Sequence, residues 1–135
     1  MMRVLQARDH LRRALFVLLV AGLACDTVPA GVGDISASAL QERSVQEVLI
    51  LDVRSAEEYA EGHVPGAVNI PHDELADRIA EVDAHKGDPV VVYCERGMRA
   101  GWAASTLLDA GYSEILHLEG DMTGWRDDGR PVETP

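Results

Sequence analysis

Two apolar runs with β-branched members, Val48-Leu-Ile-Leu-Asp-Val53 and Pro89-Val-Val-Val-Tyr-Cys94, stand out along this chain. Neither alternates with polar residues, so each predicts a strand buried on both faces. Glu114-Ile-Leu-His-Leu118 predicts a third strand, and Ala67-Val-Asn-Ile70, ended by Pro71, a shorter one. Between these runs the period changes. Ala100, Ala103, Ala104 and Leu107 follow the i, i+3, i+4, i+7 spacing of a helix face, with Gly111 as its stop. Ser55-Ala-Glu-Glu58 is a capping box, and Ser38-Ala-Leu-Gln41 predicts a second one opening a short helix. Leu75 and Ile79 predict a helix over 73–80, Gly62-His-Val-Pro-Gly66 a turn, and Trp125 the centre of a terminal helical turn. Strands alternating with helices imply an α/β fold whose parallel sheet is covered on both faces.

The N-terminus has a different pattern. Four arginines within thirteen residues precede the run Ala14-Leu-Phe-Val-Leu-Leu-Val-Ala-Gly-Leu-Ala24. That run falls well short of the ~20 residues a spanning helix needs, and it suits a secretory signal behind a positive n-region. Gly22-Leu-Ala-Cys25 resembles a bacterial lipoprotein cleavage box, with Cys25 as the residue to be lipidated. It departs from the usual pattern at Gly22 and Leu23, and ordinary cleavage after Ala24 or Ala30 is the alternative. The expected organisation is a leader over 1–25, a Gly- and Pro-rich linker over 26–34, one domain over 35–127 and a tail over 128–135. The expected location is exported, either periplasmic or anchored to the membrane through lipid.

The net charge is −11. The leader carries Arg3, Arg8, Arg12 and Arg13 against Asp9, a net +3, so the remaining 110 residues carry −14. Such a surface repels nucleic acid and anionic lipid, and an anionic substrate needs local positive charge. Arg96 and Arg99 supply it. Of the two cysteines, Cys94 alone lies in the domain, which excludes a disulfide framework and marks the thiol as a reactive candidate. The competing reading is a cysteine packed as a small hydrophobe.

The surroundings of Cys94 favour chemistry. Tyr93-Cys-Glu-Arg-Gly-Met-Arg99 places the thiol at the carboxyl end of a buried strand, before a short glycine loop and a helix. Ligands of open α/β sheets bind at that end. Helix N-termini and curled loop amides favour thiolate over thiol and make cysteine a nucleophile. Glu95 opposes this unless it points outward, which is the expectation. Asp52 and Arg54 end the neighbouring strand.

Leu51-Asp-Val-Arg-Ser-Ala-Glu-Glu-Tyr59, then Gly62-His-Val-Pro-Gly-Ala67 with Asn69-Ile-Pro71, resemble the upstream signature of rhodanese domains. Tyr93 to Arg99 is similar to their active-site loop, and Leu118-Glu-Gly120 with Trp125 to their C-terminal signature. The resemblance covers about residues 34–127. It implies a three-layer α/β/α fold around a five-stranded parallel sheet, and sulfur transfer through a cysteine persulfide. Cys94 would take a sulfane sulfur from a donor such as thiosulfate and pass it to cyanide or a thiol. The amides of Glu95, Arg96, Gly97, Met98 and Arg99 would hold the sulfur, with Arg96 and Arg99 attracting the donor. No metal or cofactor is implied. Asp52 and Arg54 would brace the loop, and His63 would hold its turn. His72, His85 and His117 lack partners at zinc-ligand spacing. Trp102 is expected to pack rather than line a pocket mouth.

Two positions depart from the family pattern. Gly120-Asp121 replaces paired glycines, and Ala100 replaces a frequent hydroxyl residue. Two other functions compete. A cysteine phosphatase needs Cys-x5-Arg to surround a phosphate, whereas Cys94 to Arg99 is Cys-x4-Arg. A non-catalytic sulfur carrier or binding module would keep the thiol and turn over small donors poorly.

Overall fold

The computed structural model describes residues 31–43, 46–83 and 87–135. The leader, Cys25, most of the linker and His85 lie outside the described residues. Five strands form one all-parallel sheet in the order β1-β5-β4-β2-β3. They are β1 Val32–Ile35, β2 Leu49–Asp52, β3 Val68–Asn69, β4 Val90–Tyr93 and β5 Ile115–Leu118. Four α-helices, α1 Ala37–Gln41, α2 Ala56–Glu61, α3 Met98–Asp109 and α4 Asp121–Asp127, connect or follow them.

The continuous apolar runs are explained by two cores, one on each side of the sheet. Leu49, Leu51 and Val53 of the first run face the same way as Val90, Val92 and Cys94 of the second. They meet Ala100, Ala103, Ala104 and Leu107, the predicted apolar face of α3. The intervening Ile50, Val91 and Tyr93 pack on the other side with Leu40 of α1 and Met122 and Trp125 of α4. A two-residue period against two covering layers therefore makes every position of β2 and β4 apolar or internally paired.

Three expectations are corrected. Val32–Ile35 is an edge strand pairing β5 (Val32 with Ile115 through Ile35 with Leu118), where a linker was expected as far as residue 34. Its two central residues, Gly33 and Asp34, are poor strand formers, and tertiary pairing overrides their propensity. Helix α1 is capped by Ser36, which accepts from Ala39 N–H at 3.1 Å, two residues before the expected cap. Ser38 lies inside that helix, where its hydroxyl accepts from Arg130. Residues 73–80 form successive turns ending in a 3-10 turn, Ile79–Glu81, rather than a helix. Leu75 is nevertheless fully buried and Ile79 packs on the same core, so the spacing marked an inward face without a regular ladder. The capping box of α2 is present as expected, with Ser55 and Glu58 each accepting the other's main-chain N–H.

The C-terminal segment folds back onto the domain. Trp125 Nε1 donates to the Pro131 carbonyl at 2.8 Å, and His63 and Glu133 exchange main-chain hydrogen bonds at 2.9 Å. His63 stacks on Tyr59, with centroids 3.7 Å apart, and its Nδ1 lies 3.0 Å from the Tyr59 carbonyl. The ring thus pins the turn at Gly62 to α2.

Candidate active site

Strand β4 ends at Tyr93, and Cys94 is the next residue. Residues 95–97 then turn the chain into α3, twelve residues long. Gly97 caps that helix with φ 116°, in the left-handed region that favours glycine. This conformation brings the Gly97 N–H to 3.0 Å from Cys94 Sγ. The sulfur therefore sits at the positive end of α3 with a main-chain donor directed at it. Gly97 is thus a loop amide that reaches Sγ directly. Cys94 is only 2% exposed and shares a core cluster with Val53, Val92 and Ala100. It is both a packed core residue and a thiol that accepts from a main-chain N–H.

Helix α4 closes the loop from the other side. Met122 N–H donates to the Cys94 carbonyl at 3.0 Å and Thr123 N–H to the Glu95 carbonyl at 3.2 Å. Free amides of a helix start are thus satisfied by the active-site loop. Asp121 Oδ1 accepts the Cys94 N–H at 3.0 Å.

Beneath the loop lies a buried polar cluster. Asp52 accepts from Arg54 Nη2 at 2.7 Å and from the Tyr93 hydroxyl at 2.7 Å. Burial, reinforced by the charge of Asp52, pushes the Tyr93 phenol far up, so it stays protonated as a donor. Arg54 also donates to the Gly62 carbonyl at 2.8 Å and reaches Glu95 at 3.3 Å. One guanidinium therefore ties β2, the 62–66 turn and the loop together. Glu95, expected to point outward, is partly buried and engaged by other side chains. Its carboxylate is drawn to Arg54 and Arg126 and accepts from Thr123 Oγ1, so two guanidinium groups counter its charge.

Arg99 and Arg96 differ. Both Arg99 amino groups donate to Glu58, at 2.7 and 2.9 Å, and the hydrogen bonds from Arg99 hold the Glu58 carboxyl down at about 2. Arg96 is exposed and makes no ion pair among the described residues. A cleft of about 360 Å³ lined by Ser55, Pro71, His72, Asp73, Glu74 and Arg99 opens beside the loop. Trp102 does not pack inside as expected. It is 55% exposed, with its ring 5.3 Å from that of His72, and Met98 one turn earlier is 67% exposed.

The family profile described as Rhodanese-like domain matches residues 36–128, most of the chain. The chain belongs to the rhodanese-like family. A sulfurtransferase of Allochromatium vinosum is 32% identical over 106 residues, 77% of this chain and 97% of the relative. An HTH-type transcriptional regulator of Mycobacterium tuberculosis is 42% identical over 99 residues, 72% of this chain but 42% of the relative. The thiosulfate sulfurtransferase PspE of Escherichia coli is 41% identical over 70 residues, 52% of this chain and 67% of the relative. The crystal structure of a rhodanese-related protein from Thermoplasma volcanium superposes with a TM-score of 0.67 at 28% identity, over 76% of this chain and 99% of that one. The chain thus spans nearly the whole length of one relative and less than half of another.

Within this rhodanese-like domain the structure brings Cys94, Glu95, Gly97, Asp52 and Arg54 into one connected site, with Arg99 turned to Glu58 at its edge. The sequence reading missed three contributors. The sequence marks Glu58 as a cap within the upstream signature, Asp121 as a departure from glycine and His117 as a strand residue without a metal partner, and joins none of them to the Cys94 loop. The signal for the last two was the spacing across the junction of β5 and α4, where a strand end and a helix start converge below the loop.

Proposed function

We propose that the protein is a sulfurtransferase that carries sulfur as a persulfide on Cys94. The observation that carries this reading is the Gly97 N–H aimed at Cys94 Sγ at the head of α3, in a chain of the rhodanese-like family. The Cys94 thiolate attacks the outer sulfur of thiosulfate. A sulfur–sulfur bond forms, the bond to the sulfonate sulfur breaks, and sulfite leaves with its electron pair. A second nucleophile, cyanide or a thiolate, then attacks the outer sulfur of the persulfide and expels Cys94 as thiolate. The sequence is ping-pong nucleophilic catalysis and uses the same loop donor in both halves.

Local charge supports an anionic donor despite the acidic surface. Arg96 is the exposed cation on the loop, and the α3 dipole adds to its field. The Cys94-x4-Arg99 spacing makes a shorter loop than Cys-x5-Arg, which fits one added sulfur atom better than a tetrahedral phosphate. Export, with Cys25 lipidated or removed with the leader, completes this reading.

Intact mass before and after thiosulfate, with thiosulfate-to-cyanide turnover of wild type and Cys94→Ser, tests it. The expected result is the gain of one sulfur atom and turnover, both absent in the variant. Absence of Cys94-dependent turnover with every small donor overturns the enzyme and favours the carrier or binding module. The same mass measurement reads the leader cleavage site and any lipid on Cys25.

A further inference from the structure

A buried carboxylate beneath the loop has no part in the sulfur chemistry above. Asp121 is 2% exposed and has φ 52°, in the left-handed region for a residue that is not glycine. Aspartate enters that region more readily than most residues, but the conformation persists only where the surroundings enforce it. Here two partners hold the side chain, and the loop leaves it no other space. Oδ1 accepts the Cys94 N–H at 3.0 Å. His117 Nε2 lies 2.9 and 3.0 Å from the two carboxylate oxygens. A Cβ on Gly97 would stand 3.2 Å from Asp121 Oδ2 and 3.7 Å from the His117 ring, so the pair fills the space under the loop.

We propose that Asp121 and His117 form a positioning pair for Cys94, in which Asp121 fixes the main chain of the nucleophile and the His117 imidazolium cancels the carboxylate charge below the sulfur. This rests on the reading of Cys94 as the nucleophile. The carboxylate is separated from the sulfur only by one hydrogen bond and the cysteine's own N–Cα–Cβ–Sγ bonds. A carboxylate bonded to the cysteine's own N–H opposes a thiolate on the same residue, and a nearby cation removes the opposition. His117 meets Asp121 from α4, Asp34 from β1 at 3.7 Å on Nδ1, and the uncharged Gly97 from the loop. The hydrogen bond to Asp121 raises His117 above its ordinary value against desolvation, and the charges of Asp121 and Asp34 add to the rise. The imidazole is thus suited to remain protonated near neutral pH. Glycine at position 121 could not supply this device.

The test is the pH profile of Cys94 alkylation by iodoacetamide in wild type, His117→Gln, His117→Lys and the double variant Asp121→Asn/His117→Gln. Asparagine keeps an acceptor oxygen for the Cys94 N–H and tolerates the left-handed conformation. Loss of the cation in His117→Gln is expected to move the profile about one pH unit alkaline, a tenfold slower reaction below the midpoint. His117→Lys, which keeps a cation, and the double variant, which removes both charges, are expected to stay near wild type. Coincident profiles for wild type and His117→Gln, or a double variant that tracks His117→Gln, overturn the pair. Should the double variant fail to fold, an equal displacement in His117→Gln and His117→Lys overturns it. The absolute position of the wild-type profile is a separate reading: an ordinary, unactivated thiol there counts against Cys94 as nucleophile, whereas displacement between variants judges the pair.

Discussion

Arg54 and Asp52 form an ion pair at 2.7 Å with both side chains closed off from solvent. Two charges removed from water survive there because their hydrogen-bonding capacity is used. Asp52 accepts from Arg54 and Tyr93, while Arg54 donates to Asp52, Gly62 and Glu95. Breaking such a pair by removing one partner leaves a buried, uncompensated charge, typically costing about 3–5 kcal/mol. Arg54→Met is therefore expected to lower unfolding free energy by that order in urea titration, and to lower turnover by releasing Glu95 and the 62–66 turn. A loss below about 1 kcal/mol would assign the pair no bracing role.

The legible part of this fold follows from burial. The runs at 48–53 and 89–94 and the face Ala100–Leu107 are apolar because a layer covers each side of the sheet, and that requirement is local in sequence. The parts that were not legible depend on distant partners. Gly33 and Asp34 become strand only because β5 offers its edge, and Leu75 is drawn inward by a core it shares with β2, β4 and α3. Cys94 and its loop could be read from composition and order alone. The Glu58–Arg99 pair, 41 positions apart, and the Asp121 contact to Cys94, 27 apart, arise from topology that the chain order does not spell out.

Gly97 gives a sharp test of the loop. Alanine at this position meets both a φ of 116° and an Asp121 oxygen at 3.2 Å. The left-handed conformation alone costs a side chain about 1–2 kcal/mol, and relieving the contact displaces the N–H that serves Cys94 Sγ. Gly97→Ala is expected to lose about that stability in thermal or urea unfolding, and to lose most Cys94 alkylation at neutral pH. Wild-type alkylation rates in a folded Gly97→Ala protein would show that the Gly97 amide does not activate the sulfur.

Glu58 has two roles that a glutamine substitution separates. In Glu58→Gln the side-chain amide oxygen still completes the capping box with Ser55, but the ion pair that holds the Arg99 guanidinium is gone. Releasing Arg99 toward the mouth of the site is expected to lower KM for thiosulfate severalfold, roughly 1 kcal/mol of added attraction for an anion. The stability effect is smaller, about 0.2–1 kcal/mol, because the pair is partly exposed. Its pH dependence has a definite sign. The carboxyl is held down at about 2 in the fold, so its contribution is present above the unfolded value near 4.3 and disappears as pH falls through about 2. Wild type and Glu58→Gln should therefore differ in melting temperature at pH 6 and converge at the acid end. An unchanged KM would mean that Arg99 meets no donor.

His117 carries the opposite sign. Its hydrogen bond to Asp121, joined by the charges of Asp121 and Asp34, raises it above the ordinary histidine value. A group raised on folding contributes stability that is complete below its unfolded value, near 6.5, and is lost as pH rises through the higher folded value. Hydrogen bonds to charged groups contribute about 1.5–3 kcal/mol, so the loss should be measurable in a domain of this size. Urea midpoints for wild type and His117→Gln are expected to be furthest apart at pH 6 and to approach one another toward pH 9. Because Asp121 also holds the Cys94 main chain, the same alkaline interval should loosen the loop, read as a lower protection factor at the Cys94 amide in wild type once base-catalysed intrinsic exchange is divided out. A gap between wild type and His117→Gln that widens toward alkaline pH would reverse the sign and show that neutral, not protonated, imidazole supports the fold.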